Sequence, residues 1–367
     1  MKGEEMMKKR LLILVGVLVV LWCTGCAAIG PTTVTRDRFD YTTAISESWK
    51  SQMLVNMVKV RYGDAPIFLD VASVINQYAV EGLVDLRATW ASPKGGGPGL
   101  GNFLGVGGTG RYTDRPTITY SPLTGEKFAR SLMTPIPPPG ILNIIQAGYR
   151  VDLVFRLCVQ SINGIKNRYA GSARAHPADP EFFPLIERMR RIQESGAIGM
   201  RVQKGNERDA VMFVFSGKVD EKIQADITEV RKILGLDPKA KEVKVVYGSV
   251  AANDQEIAIL SRSMIQVLID LASYIEVPET HLAEKRVNPS LKDDPVGGVP
   301  VPSLMRIYSS PKRPDDAFVS IPYRDHWFWI DDKDLPSKQL FSFLMFIFTL
   351  TETGGKEGAP IVTIPAG

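Results

Sequence analysis

The stretch "YRDHWFWIDDKDLPSK", residues 323 to 338, gathers the side chains of this sequence best suited to chemistry. His326, Asp331, Asp332 and Asp334 make an imidazole and carboxylate set that suits acid–base work or cation binding, and Trp327 and Trp329 offer flat rings on which a sugar can stack. The same residues also have a purely structural use. In a strand, Trp327 and Trp329 share one face and Phe328 and Ile330 the other, while Asp334 with Ser337 caps the helix that follows and the other aspartates stay solvated. Binding or catalysis predicts carboxylates converging in a cleft; a structural role predicts them dispersed and capping.

Elsewhere the chemistry is sparse. His176 sits beside a proline and His281 lies in "PETHLAEK", neither with a second histidine or a cysteine at ligand spacing. G-x-S-x-G, H-E-x-x-H and the EF-hand pattern are absent, so no nucleophile, catalytic residue, metal set or cofactor is nominated. Gly105, Gly107 and Gly110 satisfy G-x-G-x-x-G, but Arg111 and Tyr112 stand where a P-loop needs Lys and Ser or Thr. A strand-like "RPTITY" follows where a helix should begin, so the glycine-rich run 93–111 reads as a hairpin loop.

Three cysteines are present, and two of them, Cys23 and Cys26, close an apolar run. Lys8, Lys9 and Arg10 precede that run, which extends from Leu11 to Trp22 and is as a helix only about 18 Å long, short of the ~30 Å of a bilayer core. Basic cluster, apolar run and small residues have the layout of an export signal. With Thr24, Gly25 and Cys26 at its end, the segment resembles the bacterial lipoprotein signal and its lipobox, Cys23 standing where Leu is usual. The resemblance implies cleavage after Gly25, a diacylglyceryl thioether on Cys26 and acylation of Cys26 as the new N-terminus. The blocks "ISESWKSQMLVNMVKVRYGDAPIFLDV", "RPTITYSPLTGEKFARSLMTPIPP", "VQSING" and "HWFWIDDKD" are similar to bacterial envelope lipoproteins, a resemblance that implies export and lipid anchoring and carries no catalytic residue with it.

Losing Lys2, Lys8, Lys9, Arg10, Glu4 and Glu5 with the leader takes the formal charge from +4 to +2, so charge gives no argument for nucleic acid as a partner. Cys158, in "VFRLCVQSI", reads as a small buried hydrophobe.

Positioning elements follow from pattern. Residues 26–40 read as a lipidated tether. A helix capped by Asp40 carries the stripe Ile45, Trp49, Met53, Met57 and Val60, and a strand with alternating character covers Tyr78 to Trp90. "AGSARAHPADP", 170–180, reads as a linker between an N-terminal region, 41–170, and a C-terminal region, 180–367. In the latter, strands alternate with helices over 181–194, 220–234, 263–275 and 336–351. The pattern predicts an α+β fold of mixed, mostly antiparallel sheets packed with helices. The expectation is a lipid-anchored extracytoplasmic protein, attached to the membrane through its N-terminal lipid. Ala27 after the lipidated cysteine favours the outer membrane, facing the periplasm. There it would be a non-enzymatic binding or assembly module of the cell envelope, with other envelope proteins as partners. The alternative is a cell-wall or carbohydrate-directed hydrolase or binding protein using 326–334.

Overall fold

In the computed structural model the described residues are residue 6 and 29–352, apart from 76–77, 90–102, 115–116, 172–174, 204–209, 216–218, 292–295 and 297–300. The leader's apolar run, Cys26 and the first part of the glycine-rich loop lie outside them. The chain is α+β, and among the described residues every strand pairing is antiparallel but one.

Chain order begins with α1 (Ile29–Arg61), β1 (Leu69–Ile75), β2 (Tyr78–Thr89), β3 (Phe103–Asp114), β4 (Thr117–Pro122), α2 (Gly125–Phe128) and a π-helical turn, Ala129–Met133. It continues with α3 (Pro138–Gln146), α4 (Val151–Cys158), β5 (Val159–Ile162), β6 (Ile165–Lys166), α5 (Phe182–Glu194), β7 (Ile198–Gln203), β8 (Ala210–Phe215) and α6 (Glu221–Leu234). Last come β9 (Glu242–Tyr247), β10 (Glu256–Ser261), α7 (Met264–Ala272), α8 (Glu279–Ala283), β11 (Tyr308–Ser310), β12 (Ala317–Tyr323), β13 (His326–Asp331) and α9 (Leu335–Glu352).

Contacts divide the described chain into two units that are not its sequential halves: one takes 29–64, 168–184 and 268–347, the other 65–167, 185–267 and 348–352. The expected linker at 170–180 falls inside the first unit and is tied into it. Tyr169 and His176 exchange backbone hydrogen bonds, and Ala170 N–H donates to Asp270 at 3.0 Å.

In the first unit the antiparallel sheet β11-β13-β12 packs under the C-terminal part of α1. The alternation of β13 buries Phe328 and Ile330 on one side, and α1 buries Met53, Leu54, Met57 and Val58, the positions one turn apart that face the sheet. Each such side chain withdrawn from water contributes about 1.5–3 kcal/mol. Helix α1 begins at Ile29, not at Asp40, so most of the expected tether is helical. Pro31 does not prevent this, because in the first turn its missing N–H has no intrahelical partner to lose. Helix α1 ends where Gly63 adopts φ 77°. Residues 38–48 are exposed apart from a half-buried Tyr41, Phe39 being 69% accessible.

In the second unit six strands run in the order β6-β5-β10-β9-β8-β7, with β9 and β10 parallel. The turn from β5 to β6 is Asn163-Gly164, both at positive φ, as a two-residue hairpin demands. Asn163 also accepts from Ala258 N–H at 2.7 Å, locking that turn to β10. Helix α4 runs straight into β5 without a glycine cap. Its last carbonyls are satisfied instead by the buried Arg262 guanidinium, 3.2 Å from Arg156 O, and by the Asn167 amide, 2.9 Å from the same oxygen. Cys158 is fully buried, and burial pushes its thiol up to about 12, so it is an inert core side chain. The apolar C-terminal helix α9 buries Leu340, Phe341, Phe343, Leu344, Ile347 and Phe348 and exposes Phe346.

Candidate functional site

Strand β13 separates the residues that the sequence grouped. Because successive residues point to opposite sides, His326 shares a face with Phe328 and Ile330, while Trp327, Trp329 and Asp331 share the other. Trp329 lies against Tyr308 of β11, ring centroids 4.9 Å apart, and Trp327 lies under the Arg313 guanidinium at 5.3 Å. The carboxylates are used locally. Asp331 accepts from Lys333 N–H at 2.8 Å, Asp332 pairs with Lys338 at 2.6 Å, and Asp334 accepts from both the N–H and the hydroxyl of Ser337 at the start of α9. They do not converge with His326. Among the described residues no group of three or more His, Cys, Asp or Glu is placed to hold a metal ion.

The fold brings His326 to other partners. The β12–β13 turn has only two central residues, Arg324 and Asp325, at φ 46° and 66°, and so sets Tyr323 directly opposite His326. An arginine in the left-handed region is unfavourable, and here the surroundings hold it: Arg324 reaches Asp64 at 3.1 Å and lies 5.2 Å above the Tyr62 ring. Tyr323 donates its hydroxyl to Asp64, which follows the end of α1. From α8, the buried His281 ring meets His326 edge to face, centroids 5.0 Å apart, and its Nδ1 lies 2.7 Å from the Tyr62 hydroxyl. Phe328 closes the floor below Tyr62 at 6.0 Å.

The electrostatics follow from this packing. Burial pushes the Tyr62 phenol up to about 12, against the opposing pull of Arg61, Arg324 and Arg286. The protonated Tyr62 hydroxyl and His281 Nδ1 share one buried hydrogen bond, whose donor is set by the imidazole tautomer. Burial lowers the His281 pKa, and His326, Arg286 and Arg324 add to the effect, with Glu284 opposing. The Tyr323 hydrogen bond holds the Asp64 carboxyl below the usual range, aided by Arg324. His326 Nδ1 is buried and has no hydrogen-bond partner among the described residues. Mechanically, the cluster fastens the end of α1 to β12, β13 and α8.

A separate cleft of about 260 Å³ in the same unit is lined by Tyr274, Glu276, Ser290, Leu291, Arg306 and Ile307, among others. Partial burial raises the Glu276 carboxyl pKa and Arg306 opposes that rise.

Sequence reasoning located His326 but not Tyr62, Asp64, His281, Tyr323 or Arg324. The one local signal for them was the dipeptide Arg324-Asp325 between two alternating runs, a hairpin turn that aligns its flanking residues. No protein-family model matches the chain, and comparison with curated proteins and with solved structures finds no significant similarity.

Proposed function

We propose that this chain is a lipid-anchored extracytoplasmic module of a bacterial envelope, held to the outer membrane through Cys26 and acting by binding or assembly with other envelope proteins in the periplasm. The observation that carries this reading is the position of α1. Its first turn begins three residues beyond the lipobox cysteine, its middle stands in water, and its last two turns are buried in the first unit. From Ile29 to Met53 the helix rises roughly 36 Å, at about 1.5 Å per residue. A helix in that position acts as a post that holds a folded module at a set height above the bilayer to which its foot is attached. The exposed span contributes little to folding, so its length serves placement. The local use of Asp331, Asp332 and Asp334 in turns, ion pairs and a cap supports binding or assembly over carboxylate catalysis by that segment.

Mass spectrometry of the mature protein from its host tests the anchor. A thioether-linked diacylglycerol and an acyl chain on Cys26 are expected, and Cys26→Ser should move the protein from the membrane to the soluble fraction. An unmodified N-terminus upstream of Cys26 would refute it.

A further inference from the structure

The cleft of about 260 Å³ in the first unit carries charge that the fold leaves unused. Its walls come from three places in the chain: Tyr274 and Glu276 after α7, Ser290 and Leu291 after α8, and Arg306 and Ile307 before β11.

Each wall is pinned by hydrogen bonds. Glu276 N–H donates to Ile307 O at 2.9 Å, Leu291 N–H to Ser273 O at 3.0 Å, and the Ser290 hydroxyl to Ile275 O at 2.6 Å. Arg306 N–H donates to the Ser337 hydroxyl oxygen at 2.9 Å, and that hydroxyl in turn donates to Asp334. The aspartate that caps α9 therefore also steadies the backbone that carries Arg306. The Arg168 guanidinium lies 5.1 Å from the centroid of the Tyr274 ring and holds that side chain as well. A cleft tied in this way exists before a ligand arrives, so binding is spared the cost of ordering it.

Two of its side chains have no partner inside the fold. Glu276 and Arg306 are both accessible to solvent, and among the described residues neither the carboxylate nor the guanidinium makes a hydrogen bond or an ion pair. They sense each other, since Arg306 opposes the rise that partial burial gives the Glu276 pKa, yet they do not pair. The lining also offers apolar surface: Leu291 is 42% accessible, and Tyr274 and Ile307 lie beside it in the cleft.

These groups narrow the chemistry of a ligand. A lone anion would be repelled by the Glu276 carboxylate and a lone cation by the Arg306 guanidinium. A zwitterion satisfies both, its ammonium donating to Glu276 and its carboxylate accepting from the planar fork of Arg306. Size narrows it further, because the cleft lies below the ~300–1,000 Å³ of sites for drug-sized ligands. Glu276 and Arg306 stand on backbone positions adjacent across the Glu276–Ile307 hydrogen bond, so the two charges of the ligand must also be close together. An α-amino acid carries both on one carbon, and an aliphatic side chain suits Tyr274, Leu291 and Ile307.

We propose that this cleft binds a free aliphatic α-amino acid, with Glu276 taking the ammonium, Arg306 the carboxylate, and Tyr274, Leu291 and Ile307 the side chain. The proposal gives a ligand to the binding role stated above and rests on that role, not on the lipid anchor.

The test uses the full chain purified in detergent and titrated calorimetrically with three probes. DL-leucine presents both hands of the amino acid, isocaproate is leucine without its ammonium, and isopentylamine is leucine without its carboxylate. Leucine should bind at least about tenfold more tightly than either, the expected effect of losing one charge-assisted contact. In Glu276→Gln, leucine and isocaproate should bind alike, since the ammonium no longer counts; in Arg306→Gln, leucine and isopentylamine should. Both substitutions fall on solvent-accessible side chains and keep the backbone bonds of their residues, so the urea midpoints should match the parent and a change in binding reads on the site. No saturable binding of leucine by the parent up to about 10 mM, where a millimolar Kd is still seen, overturns the site, and so do variants that keep the parent's order of ligands. Membrane fractionation reads the anchor separately. A chain that binds leucine but lies in the soluble fraction keeps the cleft and loses the anchor, whereas one that stays on the membrane without binding leucine loses the amino acid and leaves anchored assembly standing.

Discussion

The Tyr62–His281 contact fixes how the first unit responds to pH. His281 is neutral in the fold because burial lowers its pKa from an ordinary 6.5, so the unfolded chain takes up a proton that the folded one refuses. Stability from this group is therefore fully present above that ordinary value and is lost as the pH falls below it toward the depressed folded pKa. Asp64 has its folded pKa depressed as well, below an ordinary 3.8, so its contribution is lost only in a more acidic window. Urea unfolding should show a loss between pH 7 and pH 5 that His281→Asn largely abolishes, and an unchanged slope in that variant would reject the assignment. At pH 7.5, Tyr62→Phe leaves His281 Nδ1 buried without its 2.7 Å partner, at a cost of about 1–3 kcal/mol. These residues could not be grouped from the sequence, because 45 positions separate His281 from His326 and nothing local links α8 to β13. Their meeting depends on the packing of α1 over a sheet, a non-local event.

At the scale of elements, legibility tracks how local the cause is. Helix α6 was readable at both ends because its signals are its own: Asp220 accepts from Ile223 N–H at 2.8 Å and Gly235 takes φ 65° at the C-terminus. Strand β9 was readable because its apolar residues Val243 and Val245 alternate with charged ones, and β8 because it is an unbroken apolar run of strand length. Strand β11 was not. Its three residues, Tyr308–Ser310, carry no pattern of their own, and their pairing is set by β13, with Tyr308 opposite Trp329. The start of α1 was missed because Gly30, Pro31 and three threonines are poor helix formers, and helix there extends a segment whose far end is anchored by packing. At the 326–334 segment, both uses of the aspartates were legible, but choosing between them required the contacts. Asp334→Ala removes the acceptor for Ser337 N–H and hydroxyl and should cost about 1 kcal/mol in thermal or urea unfolding. Asp332→Ala loses only a partly exposed ion pair with Lys338, worth about 0–1 kcal/mol. A larger loss for Asp332→Ala than for Asp334→Ala would contradict the capping role.

For the molecule as a whole, the decisive property is that α1 is one helix with two kinds of surroundings. An isolated helix shorter than about 12–15 residues is marginal in water, so the exposed span over 38–48 persists because it continues from turns held by Met53, Leu54, Met57 and Val58. Stability along α1 should therefore differ between its two kinds of surroundings, with low opening free energies over 38–48 and values near the global one by Met57. Hydrogen exchange read by mass spectrometry tests this directly, since amides of 38–48 should exchange orders of magnitude faster than those of 53–61. Two substitutions then separate placement from folding. Thr43→Pro interrupts the exposed part and removes a hydrogen bond that supports nothing beyond it, so the urea midpoint of the folded module should stay within about 0.5 kcal/mol of the parent. Met57→Ala leaves a cavity between α1 and the sheet and should cost about 2–5 kcal/mol. If Thr43→Pro destabilised the module as much as Met57→Ala, the 38–48 span of α1 would be packed against something in solution, and its role as a post would have to be abandoned.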